Sequence, residues 1–322
     1  MATASSADSA WKAVGEALGG HGWRWRAAAV ERLAEAADRV AVALSEASLS
    51  AASDGELAVA ARAELPAELP EARSVVIGAH RRPVTRASLI VDGDEHTFVV
   101  PPHYAGYEET PRQLAKLVSE ALAPHGGHAA QARVPLKTLA VASGLARYGR
   151  NNIAYVDGLG SYLSLAACAT DLPAPAGAEW IEPQALTACD RCVACSRGCP
   201  TGAIPARQAS DEASDERFVL RADRCLTTIN EDLDPIPDWV DPAWHSCVVG
   251  CLRCQQVCPE NAKVELQVEE PVRFSAAESA AILAGDETAL RAEGTDVADR
   301  LAACGLDYDA ALIARNLRLL LP

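Results

Sequence analysis

The sequence predicts an α+β protein, helical near both ends and mixed in between, with a compact cysteine-bearing segment ahead of the last helices. Three observations carry that reading. Apolar residues recur at helical spacing near both termini. Short apolar runs bounded by Gly, Pro and Asp alternate with amphipathic stretches up to about residue 172. Nine of the eleven cysteines crowd between Cys189 and Cys258.

Taken in order, Ala10 to about Ala52 carries the stripe Leu18, Ala27, Val30, Leu33, Ala36, Val40 and Leu44, which predicts a pair of packing helices within an N-terminal region 1–70. Beyond Pro66 and Pro70, Ser74-Val-Val-Ile-Gly-Ala reads as a buried strand and opens an α/β domain spanning 71–185. Ser88-Leu-Ile-Val and Thr97-Phe-Val-Val flank Asp92-Gly93-Asp94-Glu95, a hairpin signal. Helices are expected over Thr110–Ala123, with Pro111 at an early position, and over Pro135–Tyr148. Asn152–Val156 and Tyr162–Ala166 look like strands joined by Asp157-Gly-Leu-Gly. Pro173, Pro175 and Gly177 mark a linker into the cysteine segment, 186–265, and the alanine-rich remainder, 266–322, is expected to be a helical tail.

Charge narrows the function. Of 322 residues, 29 are basic and 44 acidic, a net charge of -15 that opposes approach to nucleic acid or an anionic membrane. No run of about 18 apolar residues occurs, and the first residues show no basic stretch leading into an apolar core, so a cytoplasmic protein without membrane partners is expected. Clustered cysteines in that setting point to metal ligation rather than disulfides.

The segment Cys189-Asp-Arg-Cys192-Val-Ala-Cys195-Ser-Arg-Gly-Cys199-Pro200 is C-x2-C-x2-C-x3-C-P, the run with which two-cluster bacterial ferredoxins ligate 4Fe-4S clusters. Cys251-Leu-Arg-Cys254-Gln-Gln-Val-Cys258-Pro259 repeats the C-x2-C-x3-C-P portion, and Cys225 supplies an eighth ligand. In such ferredoxins the fourth cysteine serves the other cluster, which assigns Cys189, Cys192, Cys195 and Cys258 to one and Cys199, Cys225, Cys251 and Cys254 to the second. Zinc accepts paired C-x2-C units too, but does not require the C-x3-C-P endings. Cys247 lies outside the pattern, as a spare buried thiol or a replacement for Cys225; Cys168 and Cys304 read as ordinary buried thiols.

Upstream of the clusters, Ser143-Gly144-Leu145-Ala146-Arg147-Tyr148-Gly149-Arg150-Asn151-Asn152 precedes a strand ending Ala169-Thr170-Asp171-Leu172-Pro173. Together with Cys199-Pro-Thr-Gly-Ala-Ile204, this order resembles epoxyqueuosine reductase over roughly residues 70–265. The resemblance implies a cobalamin-dependent iron-sulfur enzyme related to reductive dehalogenases. Residues 71–185 would then be a nitroreductase-like, corrinoid-binding domain. Electrons from an external low-potential donor such as ferredoxin or flavodoxin would pass through both clusters to a cobamide that reduces a small or nucleoside-type substrate. Without a corrinoid, the same clusters would make a non-catalytic electron-transfer or reductive-activation protein.

The family's catalytic aspartate falls at about Ala130, and no Asp or Glu occurs in the 36 residues between Glu120 and Asp157, where average usage predicts about five. With the corrinoid that the resemblance implies, Tyr148 and Arg150 are the candidates for proton donation and anion positioning, with Gly144, Gly149, Asn151 and Asn152 as cofactor contacts. Tyr148 reads equally as a core aromatic. His125, His128, Arg133, Lys137, Arg147 and Arg150 form either a positive pocket for an anionic ligand or a solvated basic face. Asp94-Glu-His96 only begins like a cobalt-ligating D-x-H-x-x-G loop. With a net charge of -15 and no H-G-E-M-type or HEAT-like segment, tRNA is not the expected partner, and a small molecule is.

Overall fold

The computed structural model describes residues 4–46, 63–205, 220–292 and 296–322. In chain order its elements are α1 (Ala4–Gly20), β1 (Arg24–Ala29), α2 (Arg32–Glu46), β2 (Ser74–Arg81), β3 (Thr85–Val91), β4 (Asp94–Val100), α3 (Glu109–Leu122), β5 (Ala129–Gln131), α4 (Leu136–Ala142), β6 (Arg147–Tyr148), β7 (Ala154–Tyr155) and β8 (Leu163–Thr170). The cysteine segment holds α5 (Ala194–Gly198), α6 (Leu226–Glu231) and α7 (Arg253–Gln256). Then follow β9 (Val272–Arg273), α8 (Ala276–Ala284), α9 (Glu287–Ala292), α10 (Asp296–Ala303) and α11 (Ala310–Leu320). Two units result: one from the residues up to Arg81 with Glu108–Cys192, the other from Arg82–Tyr107 with the described residues from Val193 onward.

The first unit is built on an antiparallel sheet in the order β1-β2-β8-β5. Its central strands are apolar on both faces because both are covered. Val75, Ile77, Ala79 and Ala167 face α2 and α4, whereas Val76, Ala166 and Cys168 face α1 and α3. Each buried Val or Ile contributes about 1.5–3 kcal/mol. Gly78 is required here, since a Cβ would lie 2.7 Å from the Trp23 ring and 3.0 Å from Leu114.

Three expectations need correction in this unit. The stretch read as a continuous helix pair contains β1, paired with β2 from Arg24↔Ala79 to Ala29↔Ser74. Its Ala-rich sequence suits a helix, but the pairing decides it. Residues 47–52 and the Leu44 side chain lie outside the described residues. The helix expected over Pro135–Tyr148 stops at Ala142, where Gly144 at φ +71° and the bonds Leu145 N–H to Ala140 O and Gly144 N–H to Val141 O form a Schellman cap. Finally, Asn152–Val156 and Tyr162–Ala166 do not pair: β7 joins β6, and β8 joins β2 and β5.

In the second unit, Asp92 and Gly93 both take positive φ, 52° and 94°, which makes the β3–β4 link the expected two-residue hairpin turn. The hairpin, placed by the sequence inside 71–185, packs instead on the C-terminal helices. Leu89, Phe98 and Val100 share a core with Phe274, Ile282, Leu301, Ile313 and Leu317. The Thr85 hydroxyl donates to Cys304 O, and the Ser279 hydroxyl accepts from Ile90 N–H. Asp94 and His96 lie on β4 in the hairpin ladder. Among the described residues no helix is long and apolar enough to cross a membrane.

Candidate metal centre

Cys189 and Cys192 close the first unit; the other six expected ligands belong to the second. There, Cys199, Cys225 and Cys251 lie close enough to repel as thiolates. Burial pushes the Cys251 thiol up to about 11, with Cys225 and Cys199 adding to the shift. Burial likewise raises Cys225, and Cys199 contributes. Cys199 is the exception: burial opposes ionisation, but hydrogen bonds from the Thr201 hydroxyl and from the backbone around Thr201, Ala203 and Ile204 hold it below its ordinary value. Cys254 follows one helical turn after Cys251, on α7. Converging thiolates of this kind fit a cationic iron-sulfur core that removes their mutual repulsion. Among the described residues no three Cys, His, Asp or Glu side chains converge closely enough to hold a single metal ion.

Cys247 is buried beside this group and is pushed up to about 12, by burial first, with Cys251 among the charges it feels. Cys168 and Cys304 sit in separate hydrophobic cores, where burial takes them to about 12 and about 11.

The segment bearing Cys189 and Cys192 is held by the Gly144–Asn152 stretch. Tyr148 N–H donates to Gln184 O and Leu186 N–H to Tyr148 O, both at 2.9 Å, aligning the chain ahead of the Thr187–Asp190 turn. Arg150 is 5% exposed. Its backbone N–H approaches Cys189 Sγ at 3.4 Å, while its guanidinium donates to Cys189 O at 3.0 Å and Cys192 O at 3.2 Å. Asn151 Nδ2 donates to the Tyr155 hydroxyl at 3.0 Å, and Asn151 Oδ1 is buried without a partner. Gly149 has no room for a side chain, because a Cβ would lie 2.5 Å from both Asn151 Oδ1 and the Tyr155 ring. Asn152, at φ +58°, accepts from Lys137 Nζ. Tyr148 is half-buried; burial raises its phenol, and its hydroxyl lies 3.5 Å from the Thr138 hydroxyl.

A half-open cavity of about 550 Å³ adjoins this stretch, lined among others by Gly144, Arg147, Tyr155, Glu179, Trp180 and Gln184. Of the expected site residues only Gly144 lines it. Tyr155, Glu179, Trp180 and Gln184 were not anticipated: the aromatic and acid just after Pro175 were a signal concealed by reading that stretch as a linker. Trp180 is fixed by donating to Glu35 Oε2 at 2.9 Å. That bond, with Arg32 and Arg39, holds the Glu35 carboxyl below its ordinary range. The basic residues of 125–152 do not converge on the cavity. His128 pairs with Asp171 at 3.0 Å, Arg147 with Asp157 at 3.3 Å, Lys137 with Asn152, and Arg150 with the cysteine carbonyls.

Residues 188–261 match the family described as a 4Fe-4S double cluster binding domain. The span contains all eight expected ligands and Cys247. The chain therefore carries a 4Fe-4S double cluster binding domain. The chain is also similar to epoxyqueuosine reductases. It is 30% identical to that of Escherichia coli K12 over 135 residues, 42% of this chain and 32% of the relative. It is 32% identical to that of Synechococcus sp. CC9605 over 164 residues, 50% of this chain and 46% of the relative. The matched region thus spans less than half the length of these relatives. A solved epoxyqueuosine reductase from Bacillus subtilis superposes with a TM-score of 0.65 at 18% identity, covering 97% of this chain and 81% of that one. Another, solved with an epoxyqueuosine-modified tRNA-Tyr stem loop, gives 0.65 at 19% over the same shares. The fold is the α+β fold of those structures.

Proposed function

We propose that the chain is an iron-sulfur reductase in which two 4Fe-4S clusters deliver electrons toward the cavity beside Gly144. One observation carries this reading: the cavity wall and the first cysteine turn are joined by a single short path. Tyr155 lines the cavity, Asn151 holds its hydroxyl, and the next residue, Arg150, contacts Cys189 Sγ and the carbonyls of Cys189 and Cys192. At about 550 Å³ the cavity is within the range of small-molecule sites.

The corrinoid that the resemblance implies would supply a strongly reducing, nucleophilic metal centre. The lining fits such an amide-fringed ligand in kind: the half-buried Gly144, the Gln184 amide and the Trp180 ring offer polar and stacking contacts, and no histidine is among the described lining residues. Gly144 lets the Glu179 side chain approach the cavity wall closely, since a Cβ would sit 3.0 Å from Glu179 Oε2. Glu179 and Asp157 bring to the cavity the carboxyl groups that the stretch before Gly144 lacks, so Glu179, rather than Tyr148, which does not line the cavity, is the candidate proton donor.

An external low-potential donor and a small or nucleoside-type substrate complete the proposal. Although one structural neighbour is solved with a modified tRNA stem loop, the net charge of -15 favours a smaller substrate here. Iron, sulfide and cobalt should be quantified on anaerobically purified chain after reconstitution with cobalamin. Two full clusters with tightly retained cobalt, and reduction of an epoxyqueuosine nucleoside by the dithionite-reduced protein, are expected. Full clusters without retained cobalt would overturn the reductase reading in favour of simple electron transfer, and micromolar stem-loop binding at physiological salt would overturn the small-substrate choice.

A further inference from the structure

We propose that Arg150 is a positioning residue for the cluster ligated by Cys189 and Cys192, and that its charge sets that cluster's reduction potential. This replaces the anion-positioning role suggested by its place in the sequence. It depends only on the double-cluster domain, not on any reaction at the cavity.

Three contacts fix the geometry. The backbone N–H lies 3.4 Å from Cys189 Sγ, and the guanidinium spans Cys189 O and Cys192 O at 3.0 and 3.2 Å. A planar fork reaching two carbonyls three residues apart locks the curvature of the C-x2-C turn, a task for which the flexible point charge of lysine is poorly shaped. The N–H···S contact is one of the interactions that tune iron-sulfur potentials.

Charge supplies the second half of the argument. Arg150 is 5% exposed, so water screens it weakly. A buried cation needs an anionic partner, since its desolvation is otherwise costly. Among the described residues no carboxylate pairs with Arg150; its partners are two neutral carbonyls and the sulfur of a ligand cysteine. A thiolate-held cluster is net negative, and it is the anion this arrangement offers. One-electron reduction makes it more negative by one charge, with no bond made or broken. A fixed neighbouring cation therefore stabilises the reduced form and raises the potential. Arg150 also does not line the cavity.

The test uses full-length chain purified anaerobically, comparing wild type with Arg150→Gln and Arg150→Lys. The readouts are iron content and a dithionite titration followed by EPR without substrate. Arg150→Gln keeps the backbone N–H but loses the charge. At the wild-type midpoint of one cluster, its reduced-to-oxidised ratio is expected to fall about tenfold, equivalent to about 59 mV for one electron. The other midpoint should stay in place. Arg150→Lys keeps the charge without the fork, so its potential should remain near wild type while that cluster is lost faster to a chelator. If Arg150→Gln holds only one cluster, selective loss supports the positioning role and the lysine variant's potential decides the electrostatic one. Full iron with both midpoints unchanged would overturn the proposal, as would loss of both clusters together with far-UV ellipticity. Turnover enters none of these readouts, so failure here is distinguishable from failure of the reductase reading.

Discussion

Gly250, immediately before the cluster ligand Cys251, provides a sharp quantitative prediction. Its φ is +63°, and a Cβ would come within 2.7 Å of Tyr104 Cε2 and 2.8 Å of Cζ. Tyr104 has little freedom to move, because its hydroxyl donates to Glu231 and its ring lies 4.1 Å from that of His103. Gly250→Ala therefore meets two costs: left-handed strain of about 1–2 kcal/mol, and overpacking of about 1–3 kcal/mol. A stiffer unfolded chain returns about 0.4–1 kcal/mol. The net loss is about 3 kcal/mol at mid-range, between about 1 and 4.6 at the extremes. Gly202→Ala is the internal control. It also sits in the second unit at φ +69°, but no atom of the described residues lies within 4 Å of its Cβ position, so the strain applies, about 1 kcal/mol net. At about 2–4 °C per kcal/mol, Gly250→Ala should lower the thermal midpoint by about 5–15 °C and Gly202→Ala by only about 2–4 °C. Midpoints should be compared on anaerobic holoprotein, alongside chelator-driven iron loss, which should accelerate for Gly250→Ala. Equal midpoints for the two variants would refute the claim that Tyr104 is rigid against the turn that presents Cys251.

Asn316 is 1% exposed and its amide donates to Asn230 O at 2.7 Å and Val248 O at 2.8 Å. Asn316→Leu should cost about 2–3 kcal/mol by leaving buried carbonyls undersatisfied, read as a fall in thermal midpoint; an unchanged midpoint would show that other groups satisfy them. Burial pushes the His103 imidazole down to about 4 from the ordinary 6.5. The unfolded chain then takes up this proton first as pH falls, so the stability it represents is complete above about pH 6.5 and is lost toward pH 4. By pH 5 the loss is on the order of 2 kcal/mol, and His103→Gln should flatten the decline in thermal midpoint between pH 7.5 and 5.

Much of the architecture was legible because it depends on local chemistry. The Asp92-Gly93 turn, the β2 run and the cysteine spacing announce themselves in the sequence, since a two-residue turn, a doubly covered strand and a cubane each require particular residues at fixed intervals. Strand β1 was not legible. Arg24-Trp-Arg-Ala-Ala-Ala satisfies helical and strand patterns alike, and only the edge of β2, about 50 residues away, selects the strand. Helix α4 ended early for a reason the sequence did contain, since Gly144 is the left-handed residue of a Schellman cap. The hairpin's location was beyond any local signal, because its partners lie near the other end of the chain. The same holds for the cavity, whose wall combines the Gly144 cap with Trp180, itself anchored by Glu35 on α2.

The acid-free stretch between Glu120 and Asp157 takes on a different meaning once its cations are located. As a pocket for an anionic ligand it would require them to converge, yet Lys137, Arg147 and Arg150 are each bound to a different partner. The exclusion of acids still has a physical reason. Within the stretch, Tyr148 and Arg150 contact the segment carrying Cys189 and Cys192, and a carboxylate at those positions would repel a net negative cluster and lower its potential. Arg150 does the opposite from the same position. The charge pattern therefore belongs to electron transfer rather than to substrate capture. On the proposed reading, substrate recognition would fall to the groups that face the cavity, among them Gly144, Gln184, Trp180 and the carboxyl of Glu179. A wall of that composition favours a substrate rich in hydrogen-bond donors, because an anionic substrate group would meet the Glu179 and Asp157 carboxyls there, and Arg147, the cation among the described lining residues, is already paired with Asp157.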